Sequence, residues 1–511
     1  MGTTFKSQRQ LWLKLLIAIV VIVGLLIIFK HHHGFGAHSH QASLSHPQAG
    51  GVAKMLGTQA TSPETLPSYQ AITGVLNIQH WVTKQGANVY FVRVPTLALV
   101  DIQVVFDAGS ARNGDKGGLA YLTNRLLADG TTKLSADQVA ENFDKVGAQY
   151  SATSQRDMAI LSFRSLSAAE KFVPALNTLA QILSQPDFPQ TGLKREQEKA
   201  LNSLKQQEQS PDYVASRAFY TALYGNHPYG NWVLGDANSL KAITVEDLKA
   251  FHQKYYVAKN AVIAIVGDLT APEANAVAET LMEHSPQGDK APALPTVSDL
   301  TKPVLKEITF PSAQTHIFLG EPGIKQGDPD YYALYAGNHI LGGNGSVTRM
   351  FDVIRNQHGL AYSPYSTFTP MHERGPFVLN CQTRNDSAKQ SLELMQKLLQ
   401  DFISQGPTDK ELDQAKKNLL GGFALQFDSN LDICRQISAI GFYGLPLDYF
   451  NQFKPSIEKL TLQDIKQVFG KKISPTNFVI ITVGGKPGEK GEAAPKSQAP
   501  QASPISGGAQ G

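Results

Sequence analysis

Two stretches of this chain repeat one another 217 positions apart, and that repeat restricts the fold more than any other feature of the sequence. Thr244-Val245-Glu246-Asp247-Leu248-Lys249 precedes Asn260-Ala261-Val262-Ile263-Ala264-Ile265-Val266-Gly267. At the same spacing, Thr461-Leu462-Gln463-Asp464-Ile465-Lys466 precedes Asn477-Phe478-Val479-Ile480-Ile481-Thr482-Val483-Gly484. Each copy reads as a capped amphipathic helix followed by a buried, β-branched strand. The helical run Ala168 to Leu183 pairs in the same way with Ser387 to Phe402, and Leu193 to Leu204 with Glu411 to Gly422. Several matches in one order imply a duplicated unit.

Within each half the order is strand, helix, strand, long helices, then helix and strand. Val104-Val105-Phe106 and His316-Ile317-Phe318-Leu319 read as opening strands; Ala159 to Phe163 and Phe377 to Asn380 continue them. That mixture predicts an α+β fold of two homologous halves, with helices packed on one face of each sheet. A doubly wound sheet is less favoured, because no glycine fingerprint joins the first strand to its helix. The expected boundaries are a domain over 70–285, a Pro-rich linker over 286–304 and a second domain over 305–485. A chain of 511 residues is long enough for two cores.

Outside this body the expectations are compositional. Leu11 to Phe29 is apolar apart from Lys14, and as a helix it would span roughly 28 Å, enough to cross a bilayer core. Lys6, Arg9 and Lys14 place basic charge before or early in the run. Residues 1–30 are therefore expected to be a single-pass anchor in the inner (cytoplasmic) membrane, with the body facing the periplasm. A cleaved signal peptide is the rival reading; the length of the run and the absence of a small-x-small cleavage site argue against it. Residues 31–69 read as a flexible tether and 486–511 as a disordered tail. His31, His32, His33, His38 and His40 in the tether have no fold to fix ligand geometry and read as a polar linker. Cys381 and Cys434 read as two small buried side chains, although their pairing is open. A net charge of +3 without basic clusters sets nucleic acid aside.

The segment that bears on function is Gly118-Leu119-Ala120-Tyr121-Leu122-Thr123-Asn124-Arg125, closed by Asp129-Gly130-Thr131. Together with His227-Pro228-Tyr229-Gly230 and the approach from Tyr256 to Gly267, it resembles the insulinase or pitrilysin family of zinc metallopeptidases. The resemblance covers nearly the whole body. It implies the fold of that family and of the mitochondrial processing peptidases. Active members carry G-x-A-H-F-L-E-H at this point: two histidines one helical turn apart bind zinc, and the glutamate activates the metal-bound water. Here those three positions are Tyr121, Asn124 and Arg125. The family's third ligand, a glutamate eight residues before a proline, falls at Ser203 when counted back from Pro211. A phenol, an amide and a guanidinium cannot replace imidazole and carboxylate. No metal is expected to be bound by this chain. His227, His252, His284, His339, His358 and His372 show no ligand spacing, His227 reads as a turn residue, and Glu196 reads as a solvated charge.

The second half keeps what the first has lost. Leu341-Gly342-Gly343-Asn344-Gly345-Ser346 leads into a helix carrying Met350, Phe351, Ile354 and Arg355, and Gly359-Leu360-Ala361-Tyr362 is expected to open a strand. The resemblance implies that Arg355 and Tyr362 match the family's arginine and tyrosine that steady the substrate oxyanion. No Lys-Ser/Thr follows the glycines, so a phosphate loop is not indicated; a tight turn explains them. The expected function is a non-catalytic, peptide-binding subunit, inactive alone. It would pair with a homologous subunit bearing intact H-x-x-E-H and hold an extended peptide, with zinc only in the partner. The alternative from a different class is a membrane-anchored peptide-binding or scaffold protein with no proteolytic role. An active peptidase with an unconventional metal site comes last.

Overall fold

A computed structural model describes residues 51–57 and 61–485. The apolar run Leu11 to Phe29, the histidine tract and the tail from 486 onward lie outside the described residues. Among the described residues no helix is long and apolar enough to cross a membrane. Those of sufficient length are amphipathic: the 18-residue helix Gln190–Gln207 carries Lys194, Arg195, Glu196, Glu198 and Lys199. The expected single-pass placement in the inner membrane, body toward the periplasm, is corrected accordingly and is withdrawn, as is the membrane as a partner through an N-terminal helix.

The first sheet contains β1 (Gln70–Ile72), β2 (Ile78–Val82), β3 (Asn88–Arg93), β4 (Leu99–Phe106), β5 (Gln149–Ser154), β6 (Ala159–Leu166) and β7 (Ala261–Gly267). Their order across the sheet is β1-β2-β3-β7-β4-β6-β5. The second contains β8 (Val304–Thr309), β9 (Gln314–Pro322), β10 (Tyr365–Phe368), β11 (Pro376–Arg384) and β12 (Val479–Gly484), in the order β10-β11-β9-β12-β8. Read from the opposite end, the first sheet begins β5-β6-β4-β7-β3, which is the second sheet's order strand for strand. In both, the last pair is parallel and the others antiparallel. The α+β fold of two homologous halves expected from the repeat is what the chain adopts.

Local chemistry explains the repeat's persistence. Thr244 caps the helix Val245–Tyr255 and Thr461 caps Leu462–Lys472, each in a reciprocal box with an aspartate three residues on. Such a box satisfies orphan amides at the helix start. The strand that follows in each half, β7 or β12, lies inside its sheet and is buried almost throughout. A continuous apolar run is what a strand covered on both faces requires.

Each sheet is covered partly by a helix from the other half. Helix Pro211–Tyr224, belonging to the first half by sequence, packs on β9 and β12 of the second sheet. Ala215, Phe219 and Leu223 enter one cluster with Phe318, Val378, Val479, Ile481 and Val483. Conversely, helix Asn430–Tyr443 packs on β7, β4 and β3. There Cys434 Sγ lies 3.4 Å from the Ala264 carbonyl, and Ser438 Oγ donates to Gln103 Oε1 at 2.9 Å. Cys381 and Cys434 are both free and buried. The stretch between the halves has no helix or strand; Val297 is buried, and the Pro295 carbonyl lies 2.7 Å from His227 Nε2.

A degenerate metal site and an exposed arginine–tyrosine pair

The helix Leu119–Leu126 starts at Gly118, whose φ of +89° suits glycine. A Cβ there would also meet the Leu234 carbonyl oxygen at 2.8 Å, so the helix start is seated directly on the 234 turn. From this seat the helix presents Tyr121 and Arg125 to a pocket of about 380 Å³, which Ser203 also lines. Ala152, Thr153 and Ser154 of β5 form one side, and Tyr213 and Trp232 another. Three of the four positions matching the family's zinc site and base therefore share one cavity.

Asn124 is turned away from it. The side chain is fully buried; Nδ2 donates to the Thr153 carbonyl at 2.8 Å and to Ser154 Oγ at 3.3 Å, while Oδ1 accepts from the Tyr256 hydroxyl at 3.3 Å. It ties the helix to β5 and to the core, and its donors and acceptor are occupied in doing so. Burial pushes the Tyr121 phenol above its ordinary range, with Arg125 opposing. A neutral phenol, a buried amide, a guanidinium and a serine hydroxyl form a donor set that does not fit zinc. No cluster of three or more His, Cys, Asp or Glu suited to a metal occurs among the described residues.

Glu196 departs from its reading as a solvated charge. It is 6% exposed and has three cations around it: Lys199 Nζ at 2.7 Å, Arg195 Nε at 3.6 Å and Arg125 Nε at 3.8 Å. Burying a carboxylate is tolerable only with such pairing. His227 holds its turn, accepting the Tyr229 amide on Nδ1 at 3.1 Å. His252 is buried against the Leu183 carbonyl at 2.8 Å.

Arg355 and Tyr362 meet each other but do not line the pocket. The segment Phe351–Gln357 is a π-helix, and its wider turn is visible in the His358 amide reaching the Val353 carbonyl at 3.2 Å. Single π turns recur at functional sites. The Arg355 guanidinium lies 4.3 Å from the Tyr362 ring centroid and 4.5 Å from that of Phe351. Tyr362 is 64% exposed and sits on a bend, three residues before β10 rather than at the strand start expected. Of the preceding glycines, Gly342 serves packing, since a Cβ there would meet the Ser366 amide nitrogen at 2.5 Å, whereas Gly345 serves the turn with a φ of +54°. Sequence reasoning missed the walls Tyr213 and Trp232, whose rings meet edge-on at 5.1 Å. Their signal was two aromatics flanking the turn-rich His227 to Gly230 segment.

Comparison with known proteins agrees with this geometry. The family described as "Insulinase (Peptidase family M16)" matches residues 89–237, and "Peptidase M16 inactive domain" matches residues 242–419. A Helicobacter pylori protein called "Non-peptidase homolog YmxG" is 28% identical over 379 residues, covering 73% of this chain and 86% of that one. A Bacillus subtilis protein called "Uncharacterized zinc protease YmxG" is 26% identical over 353 residues, covering 69% and 85%. The crystal structure of a peptidase M16 inactive domain from Pseudomonas fluorescens superposes with a TM-score of 0.78 at 40% identity, covering 80% of this chain and 98% of that one. The chain belongs to the insulinase (M16) peptidase family, as a homologue without the family's zinc-binding residues.

Proposed function

We propose that this chain is the non-catalytic, peptide-binding member of a pair whose other subunit is a homologue with intact H-x-x-E-H. The partner supplies zinc and the base, and this chain supplies Arg355 and Tyr362 as donors to the developing oxyanion. The observation that carries the reading is an asymmetry. Every metal-site position of the first half holds a side chain that cannot serve zinc, while the second half holds an arginine and a tyrosine with exposed surface, stacked on each other. A guanidinium held against two rings, with no carboxylate ion-paired to it among the described residues, suits a donor to negative charge. β5, the end strand of its sheet, runs along the pocket and offers an edge to an extended peptide.

The test is reconstitution. The full chain is mixed with a homologue bearing H-x-x-E-H, and cleavage of a quenched fluorescent peptide is followed. Hydrolysis that needs both chains, and is abolished by Arg355→Ala with Tyr362→Phe, is expected. Full activity with the doubly substituted chain would refute the complementing role. Peptide binding with no cleavage alongside any such homologue would favour a binding protein outside proteolysis.

A further inference from the structure

The pocket at the degenerate metal site carries surplus positive charge. Among the described residues Arg125 is the one charged side chain that lines it, and the remaining polar groups include Tyr121, Ser154, Ser203 and Gln207. Arg125 also belongs to an ion-pair cluster in which three cations, Arg125, Arg195 and Lys199, meet two carboxylates, Glu196 and Asp129. Lys199 sits closest to Glu196 and Arg195 also pairs with Asp129, so Arg125, with its Nε 3.8 Å from Glu196 Oε2, holds the longest of the Glu196 ion pairs where three cations share two carboxylates. Its side chain is 46% exposed. Behind the aromatic wall lies another cation, which donates from Nε to the Tyr229 carbonyl at 3.3 Å and makes no ion pair among the described residues. Arg156 is 3% exposed, with its guanidinium 3.5 Å from the Tyr220 ring centroid and 5.4 Å from that of Trp232, and its Nη2 has no hydrogen-bond partner. Buried positive charge behind a low-dielectric wall raises the potential in the adjoining cleft.

We propose that this pocket binds a carboxylate, with Arg125 as counter-ion and the Tyr121 and Ser203 hydroxyls beside it. A site that in active relatives holds a dication facing a carbonyl oxygen has here become a monocation facing an anion. The inference rests on the peptide-binding reading above. A peptide extended along β5 brings either its terminal carboxylate or an acidic side chain to the cavity, while Tyr213 and Trp232 accept a neighbouring apolar side chain. A guanidinium and a carboxylate match in donor and acceptor geometry, and charge-assisted bonds exceed neutral ones in strength.

The experiment uses the full chain without any partner and a labelled apolar peptide in three forms: free acid, C-terminal amide, and amide with one internal glutamate. Fluorescence anisotropy is expected to show the free acid, the glutamate form or both binding about tenfold more tightly than the plain amide. The form that gains identifies the source of the carboxylate. Arg125→Gln removes the preference. Ser203→Glu, which places a carboxylate of the chain's own in the cavity, removes it too. Equal binding of all three forms overturns the proposal and leaves the complementing-subunit reading standing, as does a preference that survives Arg125→Gln in a variant with unchanged circular dichroism. If no form binds, the peptide-binding reading falls with it.

Discussion

The two halves share one strand order and have opposite relations between side chain and surroundings. In the first half, the residue at the family's catalytic-base position has become part of the packing: Asn124 makes its bonds to β5 and Tyr256 and faces nothing that could react. In the second half, Tyr362 lies 64% exposed, and Arg355 lies against its ring and that of Phe351. Burial explains the asparagine without any function. It does not account in the same way for Tyr362, which is 64% exposed three residues before β10, or for Arg355, which reaches its ring from the π turn. Loss of chemistry and loss of structure are thus separable: the first half gave up the one and reinforced the other.

The comparison can be broken at several points. The largest effect is expected at the donors. Arg355→Ala lowers turnover of the mixed complex by about 10²–10³-fold, with unfolding unchanged. A drop matched by loss of stability would make the residue structural. Next come the exchanged helices. Phe219→Ala costs about 3–5 kcal/mol and Ile437→Ala about 2–5 kcal/mol in urea unfolding, each in a single transition. Two separated transitions would show that the halves do not depend on one another. Asn124→Ala, which leaves the Tyr256 hydroxyl and the Thr153 carbonyl short of a partner, costs about 1–3 kcal/mol. A neutral result would remove the packing role assigned to it.

The pH dependence separates the halves by sign. Burial pushes the Glu321 carboxyl of the second half from 4.5 up to about 8, against the pull of the Ser474 amide and Arg374. The native state then holds a proton that the unfolded chain releases, so this group makes stability fall as pH rises from 4.5 to about 8. In the first half, burial lowers His252 from 6.5 to about 4, only partly offset by the Leu183 carbonyl. There the unfolded chain binds the extra proton, and stability falls as pH drops from 6.5 toward 4. Urea midpoints across these windows should flatten at the alkaline side in Glu321→Gln; an unchanged profile would show that Glu321 does not carry the slope. The smallest effect is expected for Arg125→Gln, within about 1 kcal/mol, because its ion pair is long and half exposed.

Much of the fold was legible because its signals are local. Thr244 with Asp247 and Thr461 with Asp464 announce helix starts within four residues, and the apolar runs of β7 and β12 announce buried strands. The replaced positions Tyr121, Asn124, Arg125 and Ser203 could be read one by one, since ligand chemistry belongs to the residue type. What stayed hidden depends on partners distant in sequence. An amphipathic pattern shows that Pro211–Tyr224 has an apolar face, not that the face lies on the other half's sheet. Glu196 looks solvated beside its own Arg195 and Lys199; its burial is set by packing against the helix of Arg125. Tyr362 shares a run with Gly359, Leu360 and Ala361 that reads as a strand, yet only Ala361 makes a bridge, to Thr383.

The exchange of helices sets a timetable for synthesis. Pro211–Tyr224 leaves the ribosome before any strand of the sheet that will cover Phe219 exists, and β12, which lies between β9 and β8, is the last strand of that sheet to be made. A nascent first half therefore carries an unshielded aromatic ridge until about 260 further residues have been translated, and its own sheet lacks the Asn430–Tyr443 cover for about 220 of them. Chaperones that bind exposed apolar surface have their longest opportunity in that interval, and release is tied to completion of the last strand.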